Sequence, residues 1–379
     1  MGKRKVLFLI PSLVGGGAER ALINILKNVN YDRFQIDLAV VSFNGIYKNE
    51  VPKQVKVIPL FKNDFYVRVL AYFQKKTDFS FFFRWKIRYK IKGSYDVTIS
   101  YVDSNFTDLL FYIKDPGRLV SWVHASYKSY SNFGKFYENN RYKERLKLKR
   151  YSKLDAIVFV SNDAKQEFIE IFGTYPNMHV VYNHIDIEGL HKKSNEFISE
   201  RNTEKLQFVA IGSLYPVKGY DKLIKASHLV QKKGYNFEVL ILGKGYLEKY
   251  LEKLIRQYRL EEKVKLIGFQ KNPYPYLKSA DVFIMTSVSE ALPVALSEAM
   301  VLGKPTLVTD CSGCSELVNN GEFGLFAEQT PESLAVKMIE YMVEEGTLEY
   351  FSNKSIERAQ LFDDQIVLGQ YYDIMDGKF

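Results

Sequence analysis

The feature that most constrains this chain is a rhythm that occurs twice. Short β-branched apolar runs alternate with amphipathic stretches. KVLFLI, QIDLAVVSF, YDVTISYV, GRLVSWVH and AIVFVS read as strands in the first half, and LQFVAIGS, FEVLILG, KVKLIGF, DVFIMTS and KPTLVTD in the second. Helical segments cover 18–28, 163–172, 246–258 and 293–302. Alternation of strand and helix in this order makes each sheet parallel and doubly wound. The expected fold class is therefore α/β, with two Rossmann-like domains facing a central cleft and ligand at the carboxyl ends of the strands. With 379 residues the chain has room for two such domains, each with its own core. The segment 190–205, LHKKSNEFISERNTEK, is strongly polar and lacks periodicity, so it reads as a linker or exposed connection.

Composition removes several classes. A hydrophobic fraction of 46% belongs to a globular chain. No run approaches the ~18 apolar residues of a membrane span. The start, MGKRKVLFLIPSL, imitates a signal peptide, but its apolar run is too short and leads into three glycines, so a buried first strand fits better. The two cysteines, Cys311 and Cys314, rule out a disulfide framework. A soluble or peripheral cytoplasmic protein is expected. C-x-x-C also occurs in redox pairs and metal sites, yet with no second pair and no neighbouring His a plain loop at the cleft is the better reading.

The formal charge of +9 points to an anionic partner: phosphates, nucleic acid or a membrane face. Most of it is concentrated. Residues 66–92 hold eight Lys/Arg against one Asp, interleaved with nine aromatics in runs such as FFFRWKIRYKIK, and 141–150 adds six cations. Cations among aromatics suit an anionic membrane surface, and equally a solvated helix face over a core. Nucleic acid is not expected, because no recognised binding motif accompanies the charge.

Three segments could carry chemistry. After the first strand, PSLVGGGAER leads into a helix, and Gly16 and Gly17 would let backbone N–H groups approach an anion, or simply make a tight turn. FEVLILGKGYLEKYLEKLI repeats this strand–turn–helix logic with Gly243 and Gly245. In TSVSEALPVALSEAM, Glu290 precedes a helix that begins near Pro293, and Glu298 falls inside it among apolar residues. A buried carboxylate needs a partner, and a ribose diol is one; equally, Glu298 points to solvent or pairs with a neighbouring Lys. The loop amides and the helix dipole are suited to a diphosphate.

In combination these segments resemble a family-4 glycosyltransferase of the two-domain GT-B type. IGSLYPVKGYDKLI, VLILGKGYLEKYLEKLI, VKLIGF, ADVFIMTSVSEALPVALSEAM and GKPTLVTDCSGCSELV stand in family order, strongest over 206–327, with Glu290 and Glu298 as its E-x7-E motif. PSLVGGGAERALINIL and VSWVHAS are similar to N-terminal domains of enzymes that build surface polysaccharides. The resemblance implies an acceptor-side domain over 1–183, a nucleotide-sugar domain over 184–359 and a terminal helix in 360–379 crossing back to the first. It implies that Glu298 binds the donor ribose and Glu290 the transferred sugar. Amides around Leu292 and Val294 would hold the diphosphate, Lys218 would neutralise it, and backbone near Phe269 would receive the base. Gly16 and Gly17 would face the distal phosphate, and His124 would contact the sugar near the reacting centre. Three positions depart from the family pattern: Ser213 stands where an Arg is frequent, Ala291 follows the first Glu in place of Gly, and Asn183-His184-Ile185-Asp186 replaces Asn-Gly-Val-Asp.

The implied reaction is retaining transfer of a sugar from a nucleoside diphosphate, UDP above others, to a hydroxyl of a glycan or lipid-linked glycan. No D-x-D occurs in the sequence, which favours metal-independent catalysis with no cofactor. Paired carboxylates also suit a hydrolase, but the family pattern assigns Glu298 to ribose. The rivals are a nucleotide-sugar epimerase of similar shape, which lacks this motif series, and a catalytically impaired nucleotide-sugar or glycan-binding protein descended from a glycosyltransferase, a reading that rests on Ser213.

Overall fold

The computed structural model describes residues 2–61, 81–127, 140–196 and 204–379. They form two compact units: Met1–His184 together with Asp364–Phe379, and Ile185–Asp363.

In the first unit, β1 (Arg4–Ile10), β2 (Phe34–Ser42), β3 (Lys56–Phe61), β4 (Val97–Ser100), β5 (Arg118–Val123), β6 (Ala156–Phe159) and β7 (Met178–Val180) make one sheet in the order β3-β2-β1-β4-β5-β6-β7. Every pairing is parallel, with Val6 opposite Ile36 on one side and Val97 on the other. Val6 through Ile10 are all buried, as a central strand covered on both faces requires. The helix Asp364–Asp376 belongs to this unit. Its Tyr371 stacks on Trp122 with ring centroids 4.4 Å apart, and its hydroxyl meets that of Tyr101 at 3.0 Å.

The second unit repeats the plan with β8 (Leu206–Ile211), β9 (Phe237–Leu242), β10 (Val264–Gly268), β11 (Val282–Met285), β12 (Thr306–Thr309) and β13 (Leu325–Ala327), in the order β10-β9-β8-β11-β12-β13 and all parallel. Phe208, Phe237, Val239, Ile224, Leu251 and Leu334 centre its core between sheet and helices. In each sheet the strand order reverses beside the first strand, between β1 and β4 and between β8 and β11. Open α/β sheets bind ligands at such switch points.

The ten strands read from the sequence are all present. The three it lacks, β3, β7 and β13, are edge strands. β3 contains Pro59, which lacks an N–H to donate and is tolerated because β3 pairs on one side alone. The polar segment 190–205 is not wholly a connection: Ile187–Ser194 is helical, capped by the Asp186 side chain accepting from the Gly189 amide at 3.0 Å, with Leu190 and Ser194 buried. Residues 197–203 lie outside the described residues, as do 66–80 of the basic aromatic stretch. Cys314 is not in a loop. It lies in the helix Ser312–Val318, with Cys311 at its N-cap, and both thiols are free and buried.

Candidate functional site

At the β8/β11 switch point two loops are laced together. After β8 the chain turns through Ser213 and Pro216–Lys218 into the helix Tyr220–Lys232. After β11 it runs through Thr286–Pro293 into the helix Val294–Val301. The Thr286 hydroxyl donates to the Lys218 carbonyl at 2.8 Å, and the Val288 amide to the Val217 carbonyl at 2.8 Å. Gly219 closes the first turn at φ +62°, and a Cβ there would stand 2.1 Å from the Thr286 oxygen, so the approach demands glycine.

This lacing brings Lys218 to Glu290. Lys218 Nζ donates to Glu290 Oε1 at 2.5 Å, and the Ser287 hydroxyl donates to the same oxygen at 2.7 Å. The side chains are only 20% and 15% exposed. Burial alone would pull the Lys218 ammonium down, but the Glu290 carboxylate and its hydrogen bond win and hold it above its ordinary value. Glu290 Oε2 has no partner among the described residues. The Gly313 amide donates to the Glu290 carbonyl at 3.1 Å, fixing the main chain as well. Cys314 lies within the field of both charges; its hydrogen bond with Cys311, then its burial, push the thiol well above the usual range.

Glu298 is buried within its helix, where the Tyr274 hydroxyl donates to Oε1 at 2.8 Å. Leu292 is buried and Val294 half-buried at the start of that helix, whose first amides have no intrahelical acceptor. Phe269, directly after β10, is exposed. Lys218, Glu290, Leu292, Val294, Glu298 and Phe269 thus share the second unit. Ser287, Thr286 and Tyr274 were not legible in the sequence, because a hydroxyl that braces a carboxylate across loops leaves no periodic or motif signal.

Gly16, Gly17 and His124 lie in the first unit. Gly16 is the N-cap of the helix Gly17–Asn28. The Glu19 carboxylate occupies the space where a Gly16 side chain would begin and accepts from the Gly16 amide. Burial raises Glu19 above its ordinary value despite that bond. The helix start expected to meet a phosphate is therefore already met by a carboxyl group of the chain itself. His124 directly follows β5, its ring 4.8 Å from that of Tyr101. The residue keeps some surface, but Nε2 is enclosed and has no hydrogen-bond partner among the described residues. Burial pushes its pKa down to about 3, so the imidazole is neutral.

The helix Phe81–Lys90 divides its faces. Phe83 and Ile87 enter the core, whereas Phe81, Trp85 and Tyr89 are exposed along one side, Trp85 stacked on Tyr89, with Arg84 and Arg88 exposed beside them. Within 141–150, Arg150 is not a surface cation. It is buried and paired with Asp103 and Asp108 at 3.3 and 2.7 Å. Among the described residues no helix is long and apolar enough to cross a membrane.

Two parallel α/β units of this topology define the GT-B class of glycosyltransferases. The Anabaena protein HepE, solved in complex with UDP and glucose, superposes with a TM-score of 0.74 at 20% identity, covering 99% of this chain and 100% of that one. Residues 15–188 match the model for glycosyltransferase family 4, and 191–358 that for glycosyl transferases group 1. The first half of the chain therefore carries a glycosyltransferase family 4 domain and the second a glycosyl transferases group 1 domain. One curated relative is the N-acetylgalactosamine-N,N'-diacetylbacillosaminyl-diphospho-undecaprenol 4-alpha-N-acetylgalactosaminyltransferase of Campylobacter jejuni, 32% identical over 216 residues, which are 56% of this chain and 58% of that protein. Another is the amylovoran biosynthesis glycosyltransferase AmsK of Erwinia amylovora, 29% identical over 196 residues, 49% of this chain and 48% of that one. The match thus spans about half the length of these relatives.

Proposed function

We propose that this protein is a retaining, metal-independent glycosyltransferase that moves a sugar from a UDP-sugar to a hydroxyl of a glycan or lipid-linked glycan in surface polysaccharide synthesis. The observation that carries the reading is the Lys218–Glu290 pair at the β8/β11 switch point, beside the open amides that begin the Val294–Val301 helix. In the transfer, the bond from the sugar's anomeric carbon to the diphosphate oxygen breaks. A bond to the acceptor oxygen forms, and the acceptor's proton leaves with the phosphate. Charge grows on the departing diphosphate. A lysine kept protonated by Glu290, together with helix-start amides, meets that charge without reorganisation. Glu290 Oε2 is left for a hydroxyl of the transferred sugar, and Glu298, steadied by Tyr274, is assigned to the ribose diol. The neutral imidazole of His124 suits contact with the sugar, whereas a distal phosphate at Gly16 and Gly17 would have to displace the Glu19 carboxyl group that the Gly16 amide already meets.

The relatives' printed roles, one on an undecaprenol-linked diphosphate and one in amylovoran synthesis, support the acceptor class. The exposed aromatic and cationic side of Phe81–Lys90 supports peripheral docking on an anionic membrane at the cytoplasmic face. The test is incubation of the protein with UDP-sugars and undecaprenyl-diphosphate-linked acceptors, with and without EDTA. Transfer that survives EDTA and is lost in Glu290→Ala is expected. Absence of both transfer and nucleotide binding overturns the proposal.

A further inference from the structure

The site's charges do not match its ligand. A diphosphate brings at least two negative charges, and Lys218 is already neutralised by Glu290. Ser213, at the same turn, adds none. A second cation is needed near the end of β8, and three lysines are candidates. Lys222 is committed to Gln329 at 3.2 Å. Lys271 follows β10, which is separated from β8 by β9. Lys244 follows β9, the direct neighbour of β8.

Backbone geometry fixes Lys244 against the Ser213 turn. The Gly212 amide donates to the Leu242 carbonyl at 2.9 Å, and the Leu214 amide to the Lys244 carbonyl at 3.0 Å. The glycines on either side press against the same turn. A Cβ on Gly243 would stand 1.8 Å from the Gly212 oxygen, and one on Gly245 would stand 2.3 Å from the Leu214 oxygen. Side chains from the two turns also meet, with the rings of Tyr215 and Tyr246 5.1 Å apart. Lys244 itself is exposed, and its ammonium has no hydrogen bond or ion pair among the described residues. A cation held against the Ser213 turn by its main chain and left without an internal partner is free to take an external one.

We propose that Lys244 is the second cation of the diphosphate site, standing in for the charge that Ser213 does not supply. This rests on the nucleotide-sugar reading above. The test is isothermal titration of wild type, Lys244→Gln, Lys244→Arg and Lys271→Gln with UDP and with uridine. A charge-assisted contact corresponds to about a tenfold or greater change in affinity. Lys244→Gln is expected to weaken UDP by about tenfold and leave uridine unchanged, with Lys244→Arg restoring UDP and Lys271→Gln neutral. Unchanged UDP affinity in Lys244→Gln, or equal loss of UDP and uridine, overturns the role of Lys244 while leaving the proposed function standing. Wild type that binds none of UDP, GDP or ADP overturns both.

Discussion

Acidification tests the environment of His124. Its folded pKa, about 3, lies below the 6.5 of an open histidine. The unfolded chain therefore takes up a proton in the interval where the folded chain refuses it. Stability from this group is complete above pH 6.5 and falls as the pH drops from 6.5 towards 3. Each pH unit in that window costs about 1.4 kcal/mol, so the loss between pH 7.5 and pH 5 is about 2 kcal/mol. His124→Asn abolishes the titration. Both tryptophans, Trp85 and Trp122, lie in the unit that contains His124, so their fluorescence follows its unfolding. Urea unfolding at the two pH values, in wild type and variant, gives a double difference. His179 and His228, also held low by burial and then by neighbouring lysines, are common to both proteins and cancel. The variant's stability is expected to fall by about 2 kcal/mol less than that of wild type. Equal losses in the two proteins would refute the claim that the imidazole is kept neutral by enclosure.

Tyr274→Phe removes a donor from buried Glu298, and a hydrogen bond to a charged group contributes about 1.5–3 kcal/mol, readable in thermal unfolding of the second unit by circular dichroism. Gly243→Ala forces a Cβ into the Gly212 carbonyl at φ +153° and is expected to cost more than about 2 kcal/mol. Gly369→Ala, in a helix with no atom within 4 Å of the new Cβ, should instead stabilise by about 0.5–1 kcal/mol. Cys314, enclosed and with its thiol pushed up, is expected to resist iodoacetamide in the folded protein and to react after unfolding, as read by mass spectrometry.

The interior of this fold was legible because buried parallel strands must be almost wholly apolar. Runs such as VLFLI and FVAI carry that signal whatever surrounds them. Edge strands carry less of it: β7 is three half-buried residues, and β3 tolerates a proline. The helix Ile187–Ser194 was masked by the polar run HKKS at its end and announced only by an Asp186 cap that works through the folded backbone. The carboxylates Glu290 and Glu298 were visible as residues, whereas their partners were not. Ser287 and Tyr274 look like ordinary loop and helix-start residues until the chain brings them within 2.8 Å of an acid. Arg150 shows the converse: within a cationic run its sequence context is that of a surface, and only Asp103 and Asp108, more than forty positions earlier, explain its burial.

The stacking of Tyr371 on Trp122 also orders events during synthesis. A ribosome delivers β1 to β7 first, yet their unit lacks Tyr371 until every residue of Ile185–Asp363 has been made. The unit made second is therefore the first to possess all its parts. Until the Asp364–Asp376 helix emerges, Trp122 and Tyr101 keep an uncovered aromatic face, a surface for a chaperone or for another nascent chain to hold.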